Sequence, residues 1–140
     1  MNNYPLLVFL LFCFNHQSIG QELTQSAEMD KYCHTPQQQP DDIYENGYLI
    51  ECDFANANIP VAFERYKQLD SEDRYNLVKK LVPNKNIKVK CSQGGCIEAD
   101  YHWPNSKQLE ISLMFEGGET LYKFIEQSEG TKLEIRMFPD

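Results

Sequence analysis

The stretch from Leu109 to Phe138, LEISLMFEGGETLYKFIEQSEGTKLEIRMF, decides the architecture. Two turn signals cut it, Gly117-Gly118 and Glu129-Gly130, both of the kind that accepts the positive φ of a tight hairpin. With Gly117-Gly118 as the loop, Leu113 faces Tyr122 and Ile111 faces Phe124. With Glu129-Gly130 as the loop, Phe124 faces Ile135 and Tyr122 faces Met137. One apolar face therefore emerges from two independent turns, which a slip of one residue would destroy. Strands are predicted over residues 109–116, 119–127 and 131–138.

The pattern extends towards the N-terminus. A five-residue loop from Pro104 to Gln108 pairs Trp103 with Leu109 and Tyr101 with Ile111, predicting strands over 97–103 and 86–91. Ile97, Ala99, Val89 and Ile87 complete the apolar face. The opposite face carries Lys88, Lys90, Glu98, Asp100, His102, Glu110, Ser112, Lys123, Glu134 and Arg136, and reads as wet. The apolar face needs a cover. Residues 61–69 place Ala62, Phe63, Tyr66 and Leu69 at helical spacing. A second helix is expected from a cap at Asp70 or Ser71 to about Leu81, with Tyr75, Val78, Leu81 and Val82 on one face and Pro83 as its stop. The predicted fold is α+β: a five-stranded antiparallel meander covered on one face by one or two helices, with two disulfides. Residues 48–54 read as a further strand, 22–33 as a short helix and 34–47 as loop.

The 140 residues are one domain's worth. Residues 4–14, YPLLVFLLFCF, are too short to span a bilayer but suit the apolar centre of a secretory signal. Ser18-Ile19-Gly20 then supplies small residues for cleavage before Gln21. The expected organisation is a cleaved signal peptide at 1–20, an N-terminal helix and loop at 21–47, and one α+β domain at 48–140, in a periplasmic or secreted protein. Hydrophobic content of 41% with 12% aromatics argues against a disordered chain. A net charge of −8 argues against nucleic acid as partner, because phosphate binding needs Lys and Arg to release counterions. No later apolar run predicts membrane insertion.

Cleavage removes Cys13 and leaves Cys33, Cys52, Cys91 and Cys96. An even count in an exported chain reads as two disulfides with three connectivities; the short spacing favours Cys91–Cys96 and leaves Cys33–Cys52. Neither pair has zinc-ligand spacing, so no metal site is expected. An enzyme would need a nucleophile–base pair, paired carboxylates or a metal. Asp100, His102 and Glu110 share the polar face and could form a general-base trio, and Glu98 and Asp100 stand roughly 7 Å apart along one strand. An open sheet face excludes no water, so the chain is read as no enzyme and without cofactor.

The loop Cys91-Ser92-Gln93-Gly94-Gly95-Cys96 joins two strands as a disulfide-closed hairpin tip. Cys91 points inward with Val89, yet residue 96 points outward if Ile97 points inward, so a bulge is required, and Gly94 or Gly95 can supply its positive φ. The tip Ser92, Gln93, Gly94, Gly95 is therefore a candidate partner-binding site, its ordering cost already met in the free state. It resembles the C-x4-C loop of the bacterial periplasmic inhibitors of vertebrate-type lysozyme. In that family the loop enters the enzyme cleft with a His and an Asp between the cysteines; this chain has Ser92, Gln93, Gly94 and Gly95 there. In size, acidity, signal and disulfides the chain is also similar to the periplasmic immunity proteins that neutralise toxins delivered by type VI secretion.

A second candidate interface is apolar. The same registers set Met114 opposite Leu121 and Leu121 opposite Phe138 on the polar face, with Ile125 nearby. Either the segment before Cys52 covers them or a partner does. Lys79, Lys80, Lys85, Lys88 and Lys90 form a basic run with no acid between them. The functional expectation is an exported protein-binding inhibitor, most specifically an immunity protein occluding a toxin or cell-wall hydrolase, with a homodimer compatible with the same surfaces. The alternative is a secreted small-ligand carrier or effector with an apolar pocket between helix and sheet.

Overall fold

The computed structural model describes residues 27–69 and 71–139. The expected signal peptide and its cleavage site lie outside the described residues. In chain order the elements are helix α1 (Ala27–Asp30), strand β1 (Cys33–His34), helix α2 (Pro40–Asn46), strand β2 (Tyr48–Ala55), helix α3 (Ile59–Lys67), a 3-10 turn (Glu72–Asn76), strand β3 (Ile87–Lys90), a second 3-10 turn (Gln93–Gly95), and strands β4 (Cys96–Asn105), β5 (Gln108–Phe115), β6 (Gly118–Gln127) and β7 (Gly130–Pro139). All strands belong to one antiparallel sheet ordered β1-β2-β7-β6-β5-β4-β3. Among the described residues the sheet therefore has seven strands and not five: β3 to β7 form the expected five-stranded meander, β2 pairs with β7, and β1 adds outside it. The segment 34–47, expected as loop, holds the end of β1 and all of α2.

The predicted apolar face is the buried one, but its register differs. Ile111 faces Tyr122, Tyr122 faces Ile135 and Phe124 faces Leu133. Both hairpins turn one residue earlier than expected, over Glu116-Gly117 and Ser128-Glu129, and use glycine's positive φ at the residue after the loop, 136° at Gly118 and 151° at Gly130. Moving a turn by one residue shifts pairing by two, and a shift of two returns every side chain to its original face. At Gly130 the tight approach is also steric: a Cβ there would collide with the Phe54 carbonyl. The β4–β5 loop is likewise shorter than expected: Asn105 pairs with Gln108, with a register irregularity after His102.

Helix α3 covers this face. Asn58 caps it, its side chain accepting from the Val61 N–H at 3.0 Å, and Pro60 occupies the first turn, where its missing N–H costs nothing. Glu126 of β6 accepts from Ile59 N at 3.3 Å, which fixes the start of the helix to the sheet. Ile59, Ala62, Phe63 and Tyr66 form its buried stripe. Phe63 lies 6.1 Å from Phe124 and Tyr66 lies 5.6 Å from Tyr122, ring centre to ring centre.

The second helix does not form. Glu72–Asn76 is a 3-10 turn, and Leu77 then goes extended at φ −84°, ψ 146°. The backbone donor that would continue a helix is taken elsewhere: Val78 N–H donates to the Tyr101 hydroxyl at 2.9 Å. The inward residues are Leu77 and Leu81, whereas Tyr75 and Val82 are exposed, against the expected helical face. Ser71 caps nothing through its side chain, and Asp70 is outside the described residues.

Candidate functional site

Both disulfides join the pairs that spacing favoured. Cys33–Cys52 links β1 to β2 with Cα atoms 4.0 Å apart, and Cys91–Cys96 closes the β3–β4 tip with Cα atoms 5.4 Å apart. Two disulfides suit an oxidising, exported environment.

The tip is built from three constraints. Its ends are held by the disulfide and by Cys91 N–H donating to Ile97 O at 3.4 Å. Gly94 and Gly95 both take positive φ, 60° and 80°. Asn76 supplies the third: its Nδ2 donates to Gln93 O at 3.1 Å while its Oδ1 accepts from Gln93 N–H at 3.2 Å. One buried amide thus satisfies both backbone groups of Gln93 and ties the tip to the 3-10 turn. Ser92, Gln93, Gly94 and Gly95 remain exposed, and no atom lies within 4 Å of where a Cβ would sit on either glycine.

The bulge falls elsewhere than expected. Cys96 faces Phe115 and Glu98 faces Met114, so Ile97 has no residue opposite it. Cys96 is buried and Ile97 is 46% exposed, which removes Ile97 from the apolar face and lets both cysteines meet.

The apolar patch is looser than predicted. Met114 faces Glu119, Leu121 faces Ser112 and Arg136, and Phe138 faces Glu119. The two-residue shift keeps Met114, Leu121 and Phe138 on one face but makes them diagonal neighbours separated by charged side chains. Met114 is half exposed; Leu121 and Phe138 are half-buried. Ile125 faces Gln108 and Lys132, away from the others. Among the described residues the N-terminal segment meets one corner: Gly47 lies close against the Phe138 ring, and Arg136 Nη1 donates to Asn46 O at 3.1 Å.

The centre of the polar face forms a hollow of about 290 Å³ lined by Asp100, His102, Glu110, Leu121, Lys123, Glu134 and Arg136, among others. His102 faces Glu110, as the sequence predicts, and Asp100 faces Ser112 on the same side of the sheet. Its carboxylates are occupied: Lys88 lies 3.3 Å from Asp100, and Gln108 Nε2 donates to Glu110 at 2.8 Å. Glu98 is held by Lys90 at 3.2 Å and Lys88 at 3.8 Å. At the far margin Lys132 contacts Glu51 at 2.5 Å, and this hydrogen bond raises its pKa despite partial burial. Such an arrangement leaves these polar groups at a wet surface and does not isolate a reacting atom from water. Among the described residues no group of three or more His, Cys, Asp and Glu is placed to hold a metal ion, and no helix is long and apolar enough to cross a membrane.

Beneath the sheet the Phe63, Tyr66, Tyr122 and Phe124 rings fill the layer that a carried ligand would need. Tyr122 donates its hydroxyl to Asp73 Oδ2 at 2.8 Å. Burial pushes the Tyr66 hydroxyl up to about 12 and Tyr122 well above its ordinary value, with the neighbouring Tyr66 and the Asp73 charge adding to the latter.

Asn76 is the one residue of the tip that sequence reasoning missed. It fell inside a predicted helix, where nothing in the periodicity marks an amide for contact with a loop seventeen residues away. Compared with known proteins, the chain matches no protein family, no curated protein and no solved structure.

Proposed function

We propose that the chain is an exported protein-binding inhibitor, most specifically an immunity protein that neutralises a toxin or cell-wall hydrolase by occluding its active site. The observation that carries this reading is the tip: four exposed residues, Ser92 to Gly95, fixed by a disulfide and by both hydrogen bonds of the buried Asn76 amide. A loop ordered before binding loses little entropy on entering a cleft, so its contacts count more fully towards affinity. The acidic body, at −8, favours encounter with a basic partner. Met114 and Leu121 offer an apolar margin on the same sheet. The filled helix–sheet layer speaks against the carrier alternative, and the water-exposed face that carries Asp100, His102 and Glu110, with Asp100 paired to Lys88 and Glu110 accepting from Gln108, speaks against a hydrolase.

The test uses the oxidised protein as bait against cell-envelope and secreted fractions, beside a bait carrying Gln93→Trp. The expected result is one enzyme captured by the parent alone, whose activity falls to zero at one equivalent of added protein. An enzyme captured but not inhibited, or no partner in any fraction, would reject the reading. Capture and inhibition that survive Gln93→Trp would move the interface to Met114, Leu121 and Phe138. Loss of function in His102→Ala would instead favour the hydrolase.

A further inference from the structure

The sheet treats its two edges differently. On β2 the outward backbone groups belong to Leu49, Glu51 and Asp53, and each is covered. Gln38 donates to Leu49 O at 2.9 Å and accepts from Leu49 N–H at 2.7 Å, so one side chain imitates a paired strand. Glu51 faces His34 of β1, and Asp53 N–H donates to Tyr32 O at 2.9 Å. The edge at β3 has no such cover. The bond from Cys91 N–H to Ile97 O fixes the alternation of the ladder: residues 87, 89 and 91 turn their backbone groups towards β4, so those of Lys88 and Lys90 point away from the sheet. Among the described residues nothing pairs with them. Ile87 and Val89 pack against the core but stay half-buried at this rim, while the Lys88 and Lys90 side chains stand exposed on the polar face.

We propose that β3 is a docking edge for an extended acidic segment of another protein, added as an eighth strand. Main-chain groups of Lys88 and Lys90 would supply the pairing, and alternate side chains the selectivity. The incoming strand needs apolar residues on the helix side, completing the burial of Ile87 and Val89, and Asp or Glu on the other side. Charge selects that partner. Residues 79–90 hold five lysines and no acid on a chain of net charge −8. Glu98 and Asp100 engage only Lys88 and Lys90; Lys79, Lys80 and Lys85 have no ion-pair partner among the described residues. A second copy is disfavoured for the same reason, since antiparallel self-pairing sets lysines against lysines. The inference does not rest on the inhibitor reading, because the edge is defined by its own backbone and charge.

The test is hydrogen exchange by NMR on the full oxidised protein with a blocked peptide alternating Glu and Val. At saturating peptide the Lys88 and Lys90 amides are expected to slow by about tenfold or more, while Leu49 and Asp53, already bonded, stay unchanged. A peptide alternating Lys and Val is expected to have no effect. Lys88→Pro removes an N–H that the protein's own ladder does not use, so the fold persists and the slowing is lost. Should the proline variant not fold, Lys88→Glu with Lys90→Glu is expected to reverse the preference to the lysine peptide. No slowing with the acidic peptide, equal slowing with both peptides, slowing that survives in folded Lys88→Pro, or concentration-dependent self-association through these amides would overturn the proposal.

Discussion

The Asn76 side-chain amide and the Gln93 backbone form a reciprocal pair, with the amide donating at 3.1 Å and accepting at 3.2 Å. Asn76 is 7% exposed, so neither bond is readily replaced by water. Asn76→Ala is expected to cost about 2 kcal/mol, the sum of two modest hydrogen bonds. The Gln93 amide should exchange faster while amides of β5 to β7 change only with global stability. Equal acceleration everywhere would mean that the pair does not hold the tip locally.

Gln38 does for the β2 edge what Asn76 does for the tip. Gln38→Ala is expected to free the Leu49 amide, speeding its exchange by about tenfold, which corresponds to roughly 1.4 kcal/mol of local opening. The exposed edge should also make the variant more prone to associate at high concentration, measurable by sedimentation. An unchanged Leu49 amide would show that the contact is not maintained in solution.

The two disulfides should differ in weight. Cys33–Cys52 spans 19 residues and is buried, and replacing both cysteines by alanine is expected to cost about 3 kcal/mol in denaturant unfolding. Cys91–Cys96 spans 5, and its removal is expected to cost about 2 kcal/mol, with amide shifts concentrated in residues 91–97. A larger loss from the short loop would contradict the closure argument.

The buried tyrosines predict an alkaline limit to stability. A hydroxyl whose folded pKa is raised stabilises the fold fully below its unfolded pKa, and that contribution is lost as pH rises through the folded value. For Tyr66 the window runs from the ordinary 10.0 to about 12. Across it the protein should lose about 2–3 kcal/mol. Tyr66→Phe should flatten this part of the curve. Denaturant midpoints at a series of alkaline pH values, with tyrosinate absorbance followed in parallel, check both statements.

Away from the bulge that turns Ile97 outward, the side chains that face the core could be read from residue order, because a strand's alternation of two is local. Ile111, Tyr122, Phe124 and Ile135 were all assigned to the buried face, and all are buried. The Ala62, Phe63, Tyr66 stripe and the pairing of four cysteines were legible on the same basis of short-range spacing. Register was not legible: a glycine pair marks a turn only to within a residue, and an error of two in pairing leaves the facial pattern intact. That is why Met114 and Leu121 are expected opposite each other when, between β5 and β6, Glu119 and Ser112 are their partners. Tertiary structure alone decided the path from Ser71 to Val82. There, donors and amides that could have continued a helix bond to Tyr101 and Gln93, groups distant in sequence that only the folded sheet brings within reach. The Asn76–Gln93 contact ties the tip to this segment, so the feature on which the functional reading depends was visible as a cysteine loop, while the hydrogen bonds that hold it were determined by the fold.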